Sequence, residues 1–324
     1  MKRLLAIIVS LTIIASACGD DSGGTASDGG SSDSGNKPTI TFVVNAWTAS
    51  ALNVAVASQL VESELGYPVE IIAIDENEAM FTGLSDGTLD AVLEIWPSGI
   101  TDTEQAFFDD GSVVNIGGLG AIGKIGWFTP QYVLDEHPEM ATWEGLTSDE
   151  AGKYFSTAET GSKGRFLGTD PSYSQYDALI IENLGLPFEV QYSGSEPATV
   201  AELEARAAGS EPVIMYWWTP TAAVGKFNLV NVALPEFTPE CGASGAAADA
   251  DVACDYPEDP ILKAVSAKLE AKAPEVAAFL KAFTITNADQ LEMLPSAEID
   301  GEDPADVAAT WISAHKDVWS TWLS

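Results

Sequence analysis

The chain has 324 residues, and its 49 acidic side chains outnumber the 14 basic ones, which gives a formal net charge of −35. Nucleic acids and anionic membrane surfaces would be repelled by such a chain, so both are excluded as partners. The hydrophobic fraction of 46% is ample for packed interiors, and the length suits two lobes. The acidity itself is typical of a solvated surface.

The N-terminus has the pattern of a secretory signal. Two basic residues, Lys2 and Arg3, precede an apolar run over residues 4–14, and small residues follow up to Cys18. This run is too short to span a membrane. Residues 15–18 (ASAC) resemble the lipobox of bacterial lipoproteins, in which the cysteine is lipidated. Ordinary signal cleavage close to the same place is the alternative interpretation.

Residues 19–37 consist almost entirely of Gly, Ser and Asp, which predicts a disordered tether of about 20 Å reach. A lipid on Cys18 followed by this tether would hold the protein at the outer face of the cell membrane. Export also fits the two remaining cysteines, Cys241 and Cys254, which are expected to form a disulfide. The alternative, a two-cysteine metal site, lacks a nearby histidine.

Strands and helices alternate along the first part of the mature chain. Apolar β-rich runs at 39–47, 69–74 and 89–96 are separated by helical patterns at 51–66 and 77–87. The pattern repeats in a second unit, with strands predicted at 164–168, 188–192 and 212–218 and helices at 173–185 and 196–209. Right-handed crossovers turn each unit into a parallel sheet covered by helices.

The order of these elements predicts an α/β fold of two Rossmann-like lobes with a ligand cleft between them. Residues 117–127 and 228–234 are expected to be the two strands that cross between the lobes. Lobe 1 is then formed by residues 38–122 and 230–324, and lobe 2 by residues 123–229. The last part of the chain, including ILKAVSAKLEAKAP at 261–274, is predicted to be largely helical.

The sequence offers little for catalysis, and no metal site, cofactor or enzyme activity is predicted. The two histidines, His137 and His315, stand outside any acidic or nucleophilic motif. GLGAIG at 118–123 matches a dinucleotide fingerprint, but a second apolar segment follows where that fold needs a helix. An exported enzyme would need a base or nucleophile such as Ser193, Ser195 or Glu196, but this spacing favours a serine helix cap.

Aromatic residues instead mark the ends of the predicted strands, where ligands of open α/β sheets bind. Trp47 ends the first strand, Trp96 the third, and Trp217 and Trp218 the last, while Tyr173 opens a helix. Converging rings suit a bulky, desolvated cation such as a quaternary ammonium group. Terminal Trp311, Trp319 and Trp322 fall near one helical face, so they are expected to pack in the core.

Eight short stretches, in order, carry a family resemblance over residues 38–324. They are GYPVE with the acidic and Gly-rich run up to Asp90, LEIWPSG (93–99), KIGWFTP (124–130), GTDPSYSQYD (168–177), SGSEPA (193–198), YWWTP (216–220), CDYP (254–257) and the closing tryptophan pattern (311–322). The chain resembles the substrate-binding proteins of ABC importers for glycine betaine, proline betaine, choline, carnitine and related osmoprotective solutes.

The resemblance implies an aromatic cage between the lobes for the ligand's trimethylammonium group. Trp96, Tyr173 and Trp218 stand at matching motif positions, Trp47 is a plausible fourth wall, and Trp127 is either a wall or hinge packing. The implied partners are a permease and an ATPase, and the protein itself is expected to be a monomer. A lipid-anchored binding protein or sensor for a different amino acid or amine, not coupled to import, is the alternative.

The ligand's carboxylate is expected to meet free backbone amides at a helix start formed by Ser172, Tyr173 and Ser174. One residue departs from the family pattern, since Thr221 stands where many members have a histidine that helps to bind this carboxylate. This departure favours choline or another quaternary amine, for which Glu94 or Asp90 would supply a negative field.

Overall fold

The computed structural model describes residues 37–173, 175–241 and 251–323. The predicted signal, Cys18 and most of the tether lie outside these residues, as does Ser174. Residues 37–324 form one compact unit.

A single nine-stranded sheet runs through this unit, in the order β2-β1-β3-β9-β4-β7-β5-β6, with β8 paired to β4. The strands are β1 Ile40–Val44, β2 Val69–Ala73, β3 Ala91–Ile95, β4 Val113–Pro130, β5 Gly164–Gly168, β6 Phe188–Tyr192, β7 Ile214–Thr219, β8 Leu229–Val232 and β9 Glu258–Ser266. We call β1 to β3 with their helices the β1–β3 side, and β5 to β7 with theirs the β5–β7 side.

Thirteen α-helices pack against the faces of this sheet in the described residues. They are α1 Thr48–Ser63, α2 Glu78–Asp86, α3 Asp102–Asp109, α4 Gln131–Glu136, α5 Asp149–Tyr154, α6 Asp177–Asn183, α7 Glu196–Gly209, α8 Ala222–Lys226, α9 Leu269–Lys272, α10 Pro274–Ala282, α11 Asn287–Leu294, α12 Pro304–Ala314 and α13 Lys316–Trp319. A π-helical turn at Pro295–Ile299 joins α11 to the last part of the chain.

Both predicted α/β units are present. β1 pairs in parallel with β2 and β3, and β5 pairs in parallel with β6 and β7. Two of the helices between these strands begin at side-chain caps: the Asn77 side chain accepts the Ala79 and Met80 amides at the start of α2, and Ser195 accepts the Ala198 amide at the start of α7. The prediction that Ser195 is a helix cap is therefore confirmed, and so is the helix-covered α/β sheet.

The crossing strands differ from the prediction in one respect. The long β4, which includes the predicted segment 117–127, pairs with β9 at one end and with β7 and β8 at the other. β8 pairs only with the end of β4, at Trp127 to Pro130. The second strand that links the two sides is β9, which pairs with β3 as well as β4.

The helix predicted at 261–274 is therefore wrong over its first half, where β9 extends to Ser266. Ala, Lys and Glu with helical spacing suggested a helix, but partners more than a hundred residues away decide the conformation here. By contrast, the predicted core role of the terminal tryptophans is confirmed. Trp311, Trp319 and Trp322 are all buried, and Trp322 packs against Phe279 and Phe283.

Candidate functional site

A cavity of about 510 Å³, counted to its open mouth, lies where several strands end. Its lining combines residues that follow β1, β2, β3 and β5 with others from β4 and β7. They are Trp47, Asp75, Glu76, Trp96, Ile125, Ser172, Tyr173, Tyr216 and Trp218. The structure thus brings together four of the seven predicted ligand-binding residues.

The rings of this cavity stand as walls and do not stack on one another. The centroid of Tyr173 lies 5.6 Å from that of Trp47 at an interplanar angle of 89°, and 5.8 Å from that of Trp218 at 81°. Trp96 adds a further indole to the lining. We call Trp47, Trp96, Tyr173 and Trp218 the aromatic box, because rings at nearly right angles enclose a space on several sides.

A buried carboxyl group, Glu94, lies behind two of these rings. Its Oε1 accepts hydrogen bonds from the indole N–H of Trp47 at 2.7 Å and of Trp96 at 3.2 Å, and its Oε2 accepts one from the Asn53 amide at 2.6 Å. Burial raises the pKa of Glu94 to about 7, against the opposing effect of these three donors. Near neutral pH, a nearby cation would therefore favour its ionised form.

Every charged side chain in the lining is acidic. Asp75 is exposed, and Glu76 accepts the Trp96 backbone N–H at 3.1 Å. Desolvation raises the pKa of Glu76 well above its usual range, and the charges of neighbouring acids add to this effect. The lining set contains no Lys, Arg or His. Its negative potential and aromatic faces suit a cation and disfavour a free carboxylate.

Trp127 and Trp217, predicted to bind ligand, do not line the cavity. The Trp127 indole is 1% exposed, donates to Asp177 at 2.6 Å and packs on Phe166. Trp217 is fully buried, and its indole N–H donates to the Thr221 hydroxyl at 2.7 Å. It stacks on Trp218, with centroids 4.4 Å apart. Both residues therefore lie outside the lining of this cavity, which differs from the prediction.

The predicted amide nest is also corrected where the structure describes it. The Ser172 amide donates to the Asp170 side chain at 2.9 Å, and the Tyr173 amide donates to the Asp170 backbone carbonyl at 3.1 Å. Both donors are therefore occupied within their own turn. The following helix, α6, begins only at Asp177.

Thr221 and Asp90, which the sequence analysis considered for recognition of the ligand's charged groups, are hydrogen-bonded to other parts of the protein. The Thr221 hydroxyl accepts the Trp217 indole N–H at 2.7 Å and donates to the Trp218 carbonyl, so it holds the stacked pair in place. Asp90 accepts the Thr41 amide at 2.8 Å and pairs with Lys272 at 2.6 Å. It is thereby tied into the β1–β3 side, outside the cavity lining.

The residues considered for catalysis and for cross-linking lie elsewhere. Ser193 is bonded to Thr199 at 2.6 Å, and Glu196 accepts the Thr48 amide and hydroxyl. Cys241 and Cys254 are joined in a disulfide with their Cα atoms 6.2 Å apart. Within the described ranges, no group of three or more His, Cys, Asp or Glu side chains could hold a metal ion.

Sequence reasoning missed several lining residues. Tyr216 stands two positions before Trp218, so the two-residue period of a strand could have placed both on one face. Asp75 and Glu76 directly follow β2 and reach the same edge as Trp47. Their acidity resembled the general surface charge of the chain, which hid this signal.

In the part of the chain that the structure describes, no helix has the length and apolar character needed to cross a membrane.

Comparisons with known proteins agree with this geometry. Residues 38–314 match the family model described as the substrate binding domain of ABC-type glycine betaine transport system. A trimethylamine N-oxide-binding protein from Pelagibacter ubique (strain HTCC1062) is 25% identical over 291 residues, which cover 88% of this chain and 90% of the relative.

Solved structures share the fold at lower identity. Lactococcal OpuAC, in a closed conformation with glycine betaine, has a TM-score of 0.66 at 19% identity, covering 89% of this chain and 100% of that one. A choline-binding protein in complex with choline has a TM-score of 0.66 at 20% identity, with 88% and 91% covered. The glycine betaine and L-proline-binding protein ProX from Borrelia burgdorferi has a TM-score of 0.68 at 16% identity, with 88% and 97% covered.

These neighbours are two-lobed periplasmic binding proteins, so the predicted fold class is confirmed. Proteins of the matched family bind small-molecule ligands extracytoplasmically and work with permease and ATPase components of ABC transporters. Because they transport ligands without converting them, the prediction that the chain is not an enzyme is confirmed as well. The chain belongs to the family of substrate-binding domains of ABC-type glycine betaine transport systems.

Proposed function

We propose that the protein captures a small trimethylated ammonium solute in the aromatic box and delivers it to an ABC permease. The observation that carries this proposal is the composition of one cavity: four rings from separate chain segments surround it, and its charged groups are all acidic. Each ring face attracts a desolvated cation by about 0.5 to 2 kcal/mol. Glu94, which accepts the indole N–H groups of Trp47 and Trp96, adds a negative charge that attracts the cation without direct contact.

Among such solutes, choline or trimethylamine N-oxide fits better than glycine betaine, proline betaine or carnitine. The last three carry a carboxylate, which would face Asp75 and Glu76 without a basic partner in the lining. The Ser172 and Tyr173 amides, which were expected to bind this carboxylate, donate to Asp170 instead. A relative that is 25% identical and binds trimethylamine N-oxide supports that solute as a ligand.

Closure around the ligand is the proposed mechanism. The Tyr173 hydroxyl, on the β5–β7 side, donates to the Ala46 carbonyl of the β1–β3 side at 2.9 Å, directly beside the box. A ligand held by rings from both sides would favour this closed arrangement by its differential contacts. We propose β4 with β9 as the hinge. The lobe boundary predicted at residue 230 then moves to the start of β9, because β8 pairs with β4 at Trp127 to Pro130, and the two lobes are residues 38–122 with 258–324 and residues 123–257.

The anchor is proposed on the sequence pattern alone. A lipid on Cys18 and the tether over residues 19–37 would keep the binding protein near its permease. Mass spectrometry of the protein from a membrane fraction tests this. A mature N-terminus at Cys18 with an added lipid mass supports it, and an unmodified N-terminus contradicts it.

Calorimetric titration of the chain from residue 37 onward tests the binding proposal. The titrants are choline, trimethylamine N-oxide, glycine betaine and carnitine, with proline as a ligand that lacks a trimethylated nitrogen. We expect saturable binding of the first two, weaker binding of the two carboxylates and none of proline. A folded protein that binds none of the trimethylated compounds would disprove the proposal. Preference for the carboxylates would disprove the order of ligands.

A further inference from the structure

Tyr216 lines the cavity and opens the YWWTP stretch, but it was not among the predicted ligand-binding residues. It lies on β7 two residues before Trp218, and its ring centroid is 6.1 Å from that of Trp218. The side chain is 3% exposed and lines the cavity. A second tyrosine, Tyr256, packs against its ring nearly at a right angle and fixes its position. The ring is thus a rigid part of the site.

The other hydrogen-bond donors around the aromatic box are mostly occupied. The indole N–H groups of Trp47 and Trp96 donate to Glu94, and the Tyr173 hydroxyl donates to Ala46. The Tyr216 hydroxyl has no hydrogen-bond partner among the residues that the structure describes. Burial and the charge of Asp177 raise the pKa of Tyr216 well above its usual value, so the phenol keeps its proton at physiological pH.

We propose that Tyr216 is a specificity-determining residue whose hydroxyl donates a hydrogen bond to an oxygen atom of the ligand. This inference rests on the proposed function, because it assigns the polar end of a ligand whose trimethylated nitrogen occupies the aromatic box. A phenol is a neutral donor, so it recognises an oxygen without placing a positive charge beside the ammonium group. The ligand class is a trimethylated ammonium compound with one acceptor oxygen, an N-oxide or an alcohol.

Tyr216→Phe tests the assignment, since it removes the hydroxyl and keeps the ring. Calorimetry compares wild type and variant with three probes: trimethylamine N-oxide, choline and tetramethylammonium, which has the cation but no oxygen. We expect affinity for the two oxygen-containing probes to fall about tenfold, the usual effect of one lost hydrogen bond to a polar ligand group. Affinity for tetramethylammonium should stay unchanged.

Tyr192→Phe is the matched control, because it removes a hydroxyl from an exposed tyrosine that does not line the cavity. It should leave all three affinities unchanged, and thermal unfolding confirms that both variants are folded. The inference is overturned if Tyr216→Phe weakens all three probes equally, if it weakens none, or if Tyr192→Phe produces the same selective loss. Wild-type protein that binds none of the three probes, tetramethylammonium included, disproves the proposed function itself.

Discussion

At the scale of single residues, each tryptophan of the aromatic box depends on a neighbour outside the cavity lining. Trp218 lies on Trp217, which Thr221 holds by its indole N–H, and Glu94 holds both Trp47 and Trp96. The sequence predicted the box residues because aromatic side chains followed apolar strands. It could not separate the ring that faces the cavity from the ring that supports it, since that depends on how the two stacked rings pack against the rest of the chain.

Trp218→Leu should weaken binding of a trimethylated solute by about tenfold or more. Leucine keeps the wall apolar, but it removes one aromatic face and its attraction of about 1 to 2 kcal/mol for the cation. Calorimetry with choline measures the change. Trp143→Leu is the control, because this partly buried tryptophan does not line the cavity. Equal losses in both variants would mean that the effect is on folding and not on the box.

Glu94 should make the affinity for a permanent cation depend on pH. Its pKa in the free protein is about 7, and a cation bound close by stabilises the ionised carboxylate and lowers that pKa. Binding then releases a proton below pH 7. Affinity is therefore highest above pH 7 and falls as the pH drops through that value.

Calorimetry with choline between pH 8 and about pH 5.5 measures this profile. Glu94→Gln keeps an oxygen to accept the indole N–H groups but cannot ionise, so its affinity should be lower at pH 8 and the fall toward acid pH should be smaller. The same steep fall in both proteins would assign the titration to other groups, such as Glu76.

At the scale of elements, local pattern was a good guide to the two α/β units and a poor one to β9. Three elements, β5, β6 and α7, begin and end at the predicted residues, because their cap and periodicity signals are local. β9 carries Lys263 in its centre, where a strand between two others should be apolar. The structure provides buried partners for that ammonium group, and nothing near it in sequence indicates them.

Lys263→Met should lower the free energy of unfolding by about 3 kcal/mol. The Lys263 ammonium group is 1% exposed and donates to the carbonyls of Leu280, Lys281 and Phe283 at the end of α10, and burial lowers its pKa to about 8. Methionine fills the volume but leaves these carbonyls without a donor. Urea unfolding measures the loss. Lys281→Met, on the exposed face of α10, should change stability little, and an equal loss there would contradict the argument.

The first backbone amides of α1 and of α8 each donate to a glutamate carboxyl group from a distant segment of the chain. Glu196, on α7, accepts the amide and hydroxyl of Thr48 at the start of α1 at 2.7 and 3.0 Å. Glu298, in the turn after α11, accepts the Ala222 and Ala223 amides at the start of α8 at 2.7 and 3.0 Å. Because these hydrogen bonds join the two proposed lobes, we expect them to stabilise the closed arrangement.

Glu196→Ala should therefore speed ligand dissociation about five- to tenfold, the loss expected for one or two hydrogen bonds. Burial and the charge of Glu298 raise the pKa of Glu196 to about 8, so the carboxyl is largely neutral at pH 7. Glu196→Gln keeps a neutral acceptor and should change the rate little at that pH. Stopped-flow tryptophan fluorescence measures the rates. Equal rates in wild type and Glu196→Ala would mean that this contact does not hold the closed state.

At the scale of the whole molecule, one sheet joins the β1–β3 side to the β5–β7 side. β4 pairs with β9 over Val113 to Lys124 and with β7 over Lys124 to Phe128, and β9 pairs in turn with β3. Composition and strand count predicted two α/β units and a cleft between them. The second linking strand was misplaced, because its identity depends on pairing between distant segments and not on any pattern within residues 228–234.

Because the sheet is continuous and residues 37–324 form one compact unit, thermal unfolding should show one transition. A ligand that binds only the folded state stabilises it by about 2.7 kcal/mol at a concentration one hundred times its Kd. Choline at that excess should therefore shift the whole transition upward, whether it is followed by circular dichroism or by tryptophan fluorescence. Trp218→Leu at the same choline concentration should show a smaller shift. A second transition that choline does not move would mean that one side unfolds independently, and that the linking strands β4 and β9 do not couple the two sides.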